Sequence, residues 1–267
     1  MADAPTNSQL ILCLAGAAWF LASVILSIGK PTLRAVSTLA SFFGLVLGFA
    51  ALISHAVTRG SWVPLEDNFE ALLWLALLTG CVSIYLQLRK TVGRVDWVLS
   101  PIVILLLVSA AVFGKTMPRN YSHGLWMGTH IASVFIGPIA FALAAASGVM
   151  YLLLTKRLRN KHTVVDARFG SLERLERITY TAVTIGFALL TIGLITGIAR
   201  AVSADTRLGQ NWFWQPKVLL ATAAYVLYAL VLHSPINPAF RGRRTAILSI
   251  AGFILLLGTI GVVQGMK

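Results

Sequence analysis

Imidazoles are the side chains here best suited to ligating a transition metal or moving a proton near neutral pH. The chain has five: His55, His123, His130, His162 and His233. His123 and His130 stand seven apart, which on one helix places them on a shared face but about 10 Å apart along the axis. Two imidazoles on opposite faces of one iron need nitrogens about 4 Å apart, given metal-to-nitrogen distances near 2 Å. The pair cannot serve one iron, so a second ligand to either must come from another helix. His162 lies in a basic polar stretch and reads as a solvated residue. For His130, histidine chemistry alone leaves two readings, a satisfied interfacial or interior side chain or a metal ligand.

A second concentration of chemistry is the stretch Leu208-Gly209-Gln210-Asn211-Trp212-Phe213-Trp214-Gln215-Pro216-Lys217. Three consecutive aromatics make a flat apolar surface with indole donors. It reads either as part of an aromatic belt at the membrane interface or as a platform on which a large planar ligand stacks. Pro216 suits the first turn of a following helix, where its missing N–H costs nothing. Upstream, Pro64-Leu65-Glu66-Asp67-Asn68-Phe69-Glu70 reads as a helix entry. Asp67 or Asn68 would be the N-cap, and Glu70 would sit favourably in the first turn. Cys13 and Cys81 each lie inside an apolar run and no Cys-x-x-Cys occurs, which excludes thiol redox chemistry and cysteine zinc sites.

The elements that must position these groups follow from composition. Of 267 residues, 57% are hydrophobic and 12% charged, and the mean hydropathy of +0.81 exceeds what a water-soluble domain carries. Apolar runs long enough to span a bilayer lie near 9–29, 34–57, 68–88, 95–113, 124–155, 176–200, 214–234 and 245–265. The hydrocarbon core offers the backbone no water, so each run must be helical. The fold class is all-α, a polytopic integral membrane protein with about eight transmembrane helices. In chain order, residues 1–155 hold five N-terminal helices, 156–175 a basic cytoplasmic connector, and 176–267 three C-terminal helices with the external tryptophan-rich loop. The leucines of Leu172–Arg177 continue the connector as helix into the sixth span.

The net charge of +13 does not point to nucleic acid, because the basic residues punctuate the ends of apolar runs instead of forming one patch. That is the footprint of the positive-inside rule, with anionic lipid headgroups as partner. Fifteen of the 22 Lys and Arg fall in one set of alternate loops and seven in the other. The heavier side is cytoplasmic, so both termini and the loops near 58–67, 114–123 and 201–213 are external, in the cytoplasmic (inner) membrane. Met1–Ser8 has no basic residue, so the first span reads as a retained helix and not a signal peptide. Transport of a small solute is disfavoured because the spans contain almost no buried ion pair and no convincing repeat or Gly/Pro-broken helices in matching positions.

Taken in order, these segments resemble the cytochrome c assembly protein superfamily of haem-handling membrane proteins, which includes CcsA-type ligation subunits and HemX-like accessory proteins. Leu190-Thr191-Ile192-Gly193-Leu194-Ile195-Thr196-Gly197 is similar to the family's LTIGxxxG span. Gly209 with Trp212-Phe213-Trp214-Gln215-Pro216-Lys217 is similar to its WGxxWxWDPK segment, and His233 falls where the family has a histidine in the next span. Leu125-Trp126-Met127-Gly128-Thr129-His130 resembles the WLxxH that supplies an external haem-ligating histidine, and Pro64–Glu70 resembles the PLSNxYE helix entry.

The resemblance implies haem b as ligand or substrate, His130 as the outer iron ligand, and Trp212, Trp214 and Phe213 holding the macrocycle. It implies His233 at a separate inner haem position, with span five and the last three spans forming the haem-handling module. It further implies a CcsB-like subunit and apocytochrome c as partners, with this chain at most one subunit of a ligation system. The departures are specific. Gln215 stands for the family's acidic residue, Leu208 for its leading Trp, Asn211 for an aromatic, Val218 for a Glu, and Gln264 for the second external histidine. With the Arg241-Gly242-Arg243-Arg244 loop, these lean toward the HemX-like branch, in which a regulatory or scaffolding protein does not ligate haem.

Overall fold

The computed structural model describes residues 5–28, 33–60, 67–89, 95–114, 125–160, 171–203, 214–234 and 241–265. Among them the chain is all helical, in the order α1 (Asn7–Ile28), α2 (Arg34–Arg59), α3 (Asn68–Leu88), α4 (Asp96–Phe113), α5 (Leu125–Arg159), α6 (Leu172–Ser203), α7 (Pro216–Leu232) and α8 (Arg243–Gly265). Six are long and apolar enough to cross a membrane, and α7 contributes a shorter apolar stretch, Val218–Leu232. The protein is an integral membrane protein. The helices meet the expected apolar runs within a few residues. The larger difference is at α5, which extends through Arg159, whereas α6 begins at Leu172, in the stretch expected to continue as helix into the sixth span.

The chain folds as two compact units, Met1–Tyr121 and Ser122–Lys267. In the first, α1 packs on α2 and α4, and α3 packs on α4 and α2. Lipid tails are as apolar as leucine, so close backbone approach and buried hydrogen bonds must hold such helices together. Both are present. A Cβ on Gly44 would lie 2.9 Å from the Gly16 carbonyl, and one on Gly16 3.1 Å from the Gly44 carbonyl. Ser23 Oγ lies 2.6 Å from Ser41 Oγ and 3.0 Å from Ser37 Oγ, and Gln87 donates to Ser41 at 3.0 Å. At the opposite end, Gln9 Nε2 donates to Thr58 Oγ1 at 2.9 Å.

In the second unit α5 packs on α6 and α8, α7 packs on α8, and α6 also meets α7 and α8. Span five thus shares a unit with the last three. Its centre is a layered arrangement of two glycines and two rings. Phe141 of α5 stacks on Tyr228 of α7 with centroids 3.7 Å apart and planes 15° off parallel. Gly186 of α6 lies against the Phe141 ring and Gly252 of α8 against the Tyr228 ring, each so close that a Cβ would come within 2.8 Å. Gly148 lets α5 approach the Ala246 backbone of α8 in the same manner.

Candidate functional site

His130 lies in the second turn of α5, half-buried against α6. Its Nδ1 is 2.9 Å from Thr196 Oγ1 and 3.2 Å from the Gly193 carbonyl oxygen. Thr196, itself buried, donates its hydroxyl proton to the Ile192 carbonyl at 2.7 Å. The Gly193 carbonyl can only accept, and Thr196 Oγ1 accepts while its proton goes to Ile192, so the arrangement suits a protonated Nδ1 with the lone pair of the neutral ring on Nε2. This arrangement fixes both tautomer and ring orientation, as the outer partners of metal-bound histidines do. The local sequence explains the fit. Gly193 and Gly197 leave α6 without side chains where the imidazole and Ser133 approach: a Cβ on Gly197 would lie 3.4 Å from His130 Cε1, and one on Gly193 3.6 Å from Ser133 Cβ.

His233 caps the C-terminus of α7, exposed, with Nδ1 2.8 Å from the Ala229 carbonyl. Nδ1–H donates there too, again placing the lone pair on Nε2. The two histidines stand far apart along the unit. Helices α5 and α7 both run antiparallel to α8, and they meet at Phe141 and Tyr228. His130 is eleven residues before Phe141, and His233 is five after Tyr228. At 1.5 Å per residue, the separation along the helix axes is about 24 Å. One iron cannot take both.

Trp214 is 65% exposed just ahead of α7, where Pro216 occupies the first turn and Gln215 is the N-cap residue. Trp126, four residues before His130, is 75% exposed. Trp212, Phe213, His123 and His162 lie outside the described residues, and Gln264 belongs to the last turn of α8.

Sequence reasoning missed a second constellation, in the first unit. Asp67 is the N-cap of α3 and accepts from the Glu70 N–H at 2.7 Å. Its other carboxylate oxygen lies 2.6 Å from His55 Nε2 and 3.5 Å from Arg59. The Glu70 side chain reaches the preceding helix, where it accepts from Arg59 at 2.9 Å. His55, Asp67 and Glu70 are all buried, and the His55 ring meets the Phe69 ring edge-on with centroids 5.0 Å apart. The signal was present in the spacing: His55 and Arg59, four apart at the end of α2, share the face that Asp67 and Glu70 present from the start of α3. Among the described residues no three His, Cys, Asp or Glu side chains converge as a metal site. Here the Arg59 guanidinium occupies the place a cation would take.

Iron in a porphyrin, the group implied by the resemblance, needs an oriented imidazole lone pair and an apolar surface for the macrocycle. His130 meets the first requirement through its held Nδ1 and α6 backing. Trp214 supplies exposed ring area of the second kind. His55, with Nε2 committed to Asp67, could ligate through that nitrogen only by giving up a buried pair.

The chain is 26% identical over 221 residues to the cytochrome c biogenesis protein CcsA of Guillardia theta, covering 74% of this chain and 72% of that protein. It is 23% identical to CcsA of Pyropia yezoensis over 86% of this chain and 85% of that protein. A shorter stretch of 106 residues is 38% identical to CcsA of Prochlorococcus marinus (strain NATL2A), covering 40% of this chain and 33% of that protein. No solved structure matches the chain. The family model described as cytochrome C assembly protein matches residues 8–264, nearly the whole length, and the chain belongs to that family.

Proposed function

We propose that this protein holds haem on the external side of the membrane during cytochrome c biogenesis, with His130 as the iron ligand and Trp212, Phe213 and Trp214 as the surface for the macrocycle. The observation that carries the reading is the hold on His130 Nδ1 by Thr196 and Gly193, in a member of a family of cytochrome c assembly proteins. When bound, haem b supplies an iron centre and vinyl groups for thioether attachment. This chain's part is to orient one imidazole and to cover one face of the ring. His233, about 24 Å away along the axes, serves a separate inner position. A CcsB-like subunit and apocytochrome c are the partners such a site requires.

The purified protein should carry a Soret band. His130→Ala should abolish or shift the outer haem spectrum, and added imidazole should partly restore it by filling the vacated position. His233→Ala should lower total haem without that imidazole response, and the Trp212→Ala/Trp214→Ala double variant should lose haem while staying folded. Unchanged haem in His130→Ala would remove the ligand assignment. For topology, reporter fusions after Arg94 and Arg168 should behave as cytoplasmic and those after Met117 and Asp205 as external.

Gln215 and Gln264, in place of an acidic residue and a histidine, favour a second reading, a HemX-like regulatory or scaffolding protein that does not ligate haem. A wild-type protein without any Soret band would make that reading the better one.

A further inference from the structure

The connector end of the second unit carries a feature that haem handling does not use. A cavity of about 600 Å³ runs along α6, with Glu173, Arg174 and Arg177 at its polar end and Ile178, Ala182 and Ile185 along its length, joined by Leu143 of α5. A neighbouring cavity of about 330 Å³ shares Glu173 and Arg177 and adds Glu176, Tyr180 and Arg241. The α6 residues are spaced three and four apart, so they form one face. Arg177 and Ile185 are about 12 Å apart along the axis, close to the depth of one leaflet of a hydrocarbon core about 30 Å thick. The face is thus charged where headgroups lie and apolar where acyl chains lie.

The charges are of both signs. Glu176 is engaged by the Gly242 N–H at 3.2 Å and by Arg241 at 3.8 Å. Among the described residues no ion pair joins Glu173 to Arg174 or Arg177, although all three are exposed and line the same cavity. Two guanidiniums suit a phosphodiester. A carboxylate beside them is wrong for a purely anionic headgroup and right for one that also carries a donor cation.

We propose that the first turns of α6 form a binding site for a zwitterionic aminophospholipid of the phosphatidylethanolamine class. Arg174 and Arg177 take the phosphate, Glu173 takes the primary ammonium, and one acyl chain lies along Ile178, Ala182 and Ile185. The quaternary ammonium of phosphatidylcholine has no N–H to donate to Glu173, and phosphatidylglycerol offers it no cation.

The test uses the full chain in detergent, stripped of lipid and exposed to equal amounts of phosphatidylethanolamine, phosphatidylglycerol and phosphatidylcholine, with retained lipid read by native mass spectrometry. Phosphatidylethanolamine should be retained about tenfold over the other two, the ratio expected for one charge-assisted contact. The Arg174→Ala/Arg177→Ala variant should lose about tenfold of that retention. Glu173→Gln, a near-isosteric change at an exposed site, should erase the preference over phosphatidylcholine while leaving the amount of phosphatidylcholine retained unchanged. Preference for phosphatidylglycerol, or undiminished retention in the double arginine variant, overturns the proposal. Displacement of the lipid by inorganic phosphate or glycerophosphoethanolamine at equal concentration also overturns it, because the site would then read a soluble phosphate.

Discussion

Two histidine settings, one in each unit, buried at His55 and half-buried at His130, differ in what surrounds the ring. His55 sits among charges: Asp67 at 2.6 Å, with Arg59 bridging from Asp67 to Glu70. His130 sits against a hydroxyl and a backbone carbonyl. Ionisable groups in membrane spans are functional candidates by default because they are expensive there, and on that ground the four-residue cluster ranks first. Pairing reverses the order. In the cluster each charge is answered by another within the same few turns, which ties the end of α2 to the start of α3. At His130 a hydroxyl and a backbone carbonyl hold Nδ1 and favour the lone pair on the other nitrogen, which is how a ligand is prepared. The cluster should therefore be read in stability, and His130 in ligand binding.

The largest expected effect breaks the cluster. Asp67→Ala removes the partner of His55, one partner of Arg59 and the cap of α3 together. Stranding buried charges in this way costs about 3–5 kcal/mol, so chemical unfolding in detergent should show a loss of at least about 3 kcal/mol. Protein that remains folded should keep its haem spectrum. A His55→Ala/Asp67→Ala double variant should be less destabilised than the two single losses added, since each removes the same pair. Additive losses would mean that the 2.6 Å contact couples nothing, and the contrast between the units would fail.

Next in size is the second unit's own core, which separates its stability from its site. Gly252→Ala places a Cβ 2.8 Å from the Tyr228 ring, and that ring is wedged against Phe141 and cannot retreat. Overpacking of this kind costs about 1–3 kcal/mol. The expected outcome is reduced unfolding free energy at unchanged haem per folded molecule. Haem loss out of proportion to unfolding would tie the aromatic layer to the site itself.

Much of this architecture was legible because apolar run length and helix formation are forced by the bilayer. The α3 boundaries, the Asp67 cap and the Pro216 first turn follow from local chemistry that tertiary packing does not override. His130 was legible as a residue but not as a setting, because Thr196 and Gly193 are 66 and 63 positions away and nothing local announces them. The cluster was obscured for a related reason. Glu70 satisfies the pattern of a first-turn carboxylate so well that local chemistry already accounts for it, whereas its side chain answers to Arg59 on the preceding helix. The Phe141 and Tyr228 layer depends on glycines from two other helices, a coincidence no single helix displays.

Thr196→Val is the milder probe on the His130 side. It keeps the shape and removes one of the two oxygens near Nδ1, leaving the Gly193 carbonyl at 3.2 Å. One lost hydrogen bond costs about 0.5–1.5 kcal/mol of stability, while loss of an outer partner of a metal-bound histidine lowers metal affinity by about 10–100-fold. The measurement is haem retention during dilution alongside unfolding. A stability loss as large as that of Asp67→Ala would erase the distinction between the two settings.

The smallest structural change gives the sharpest contrast, because it should raise stability without moving the ring. Gly197 lies inside α6, where replacing glycine by alanine favours the helix by about 1 kcal/mol. The added Cβ would stand 3.4 Å from His130 Cε1, an ordinary van der Waals contact that leaves the ring and its 2.9 Å contact to Thr196 in place. Gly197→Ala should therefore raise unfolding free energy by up to about 1 kcal/mol, while haem retention and the Soret band stay as they are. The cluster of the first unit has no counterpart to this behaviour, since every change there lowers stability first. If haem retention falls in Gly197→Ala while stability rises, the ring must move toward α6 when iron binds, and the orientation set by Thr196 and Gly193 is not the one iron uses.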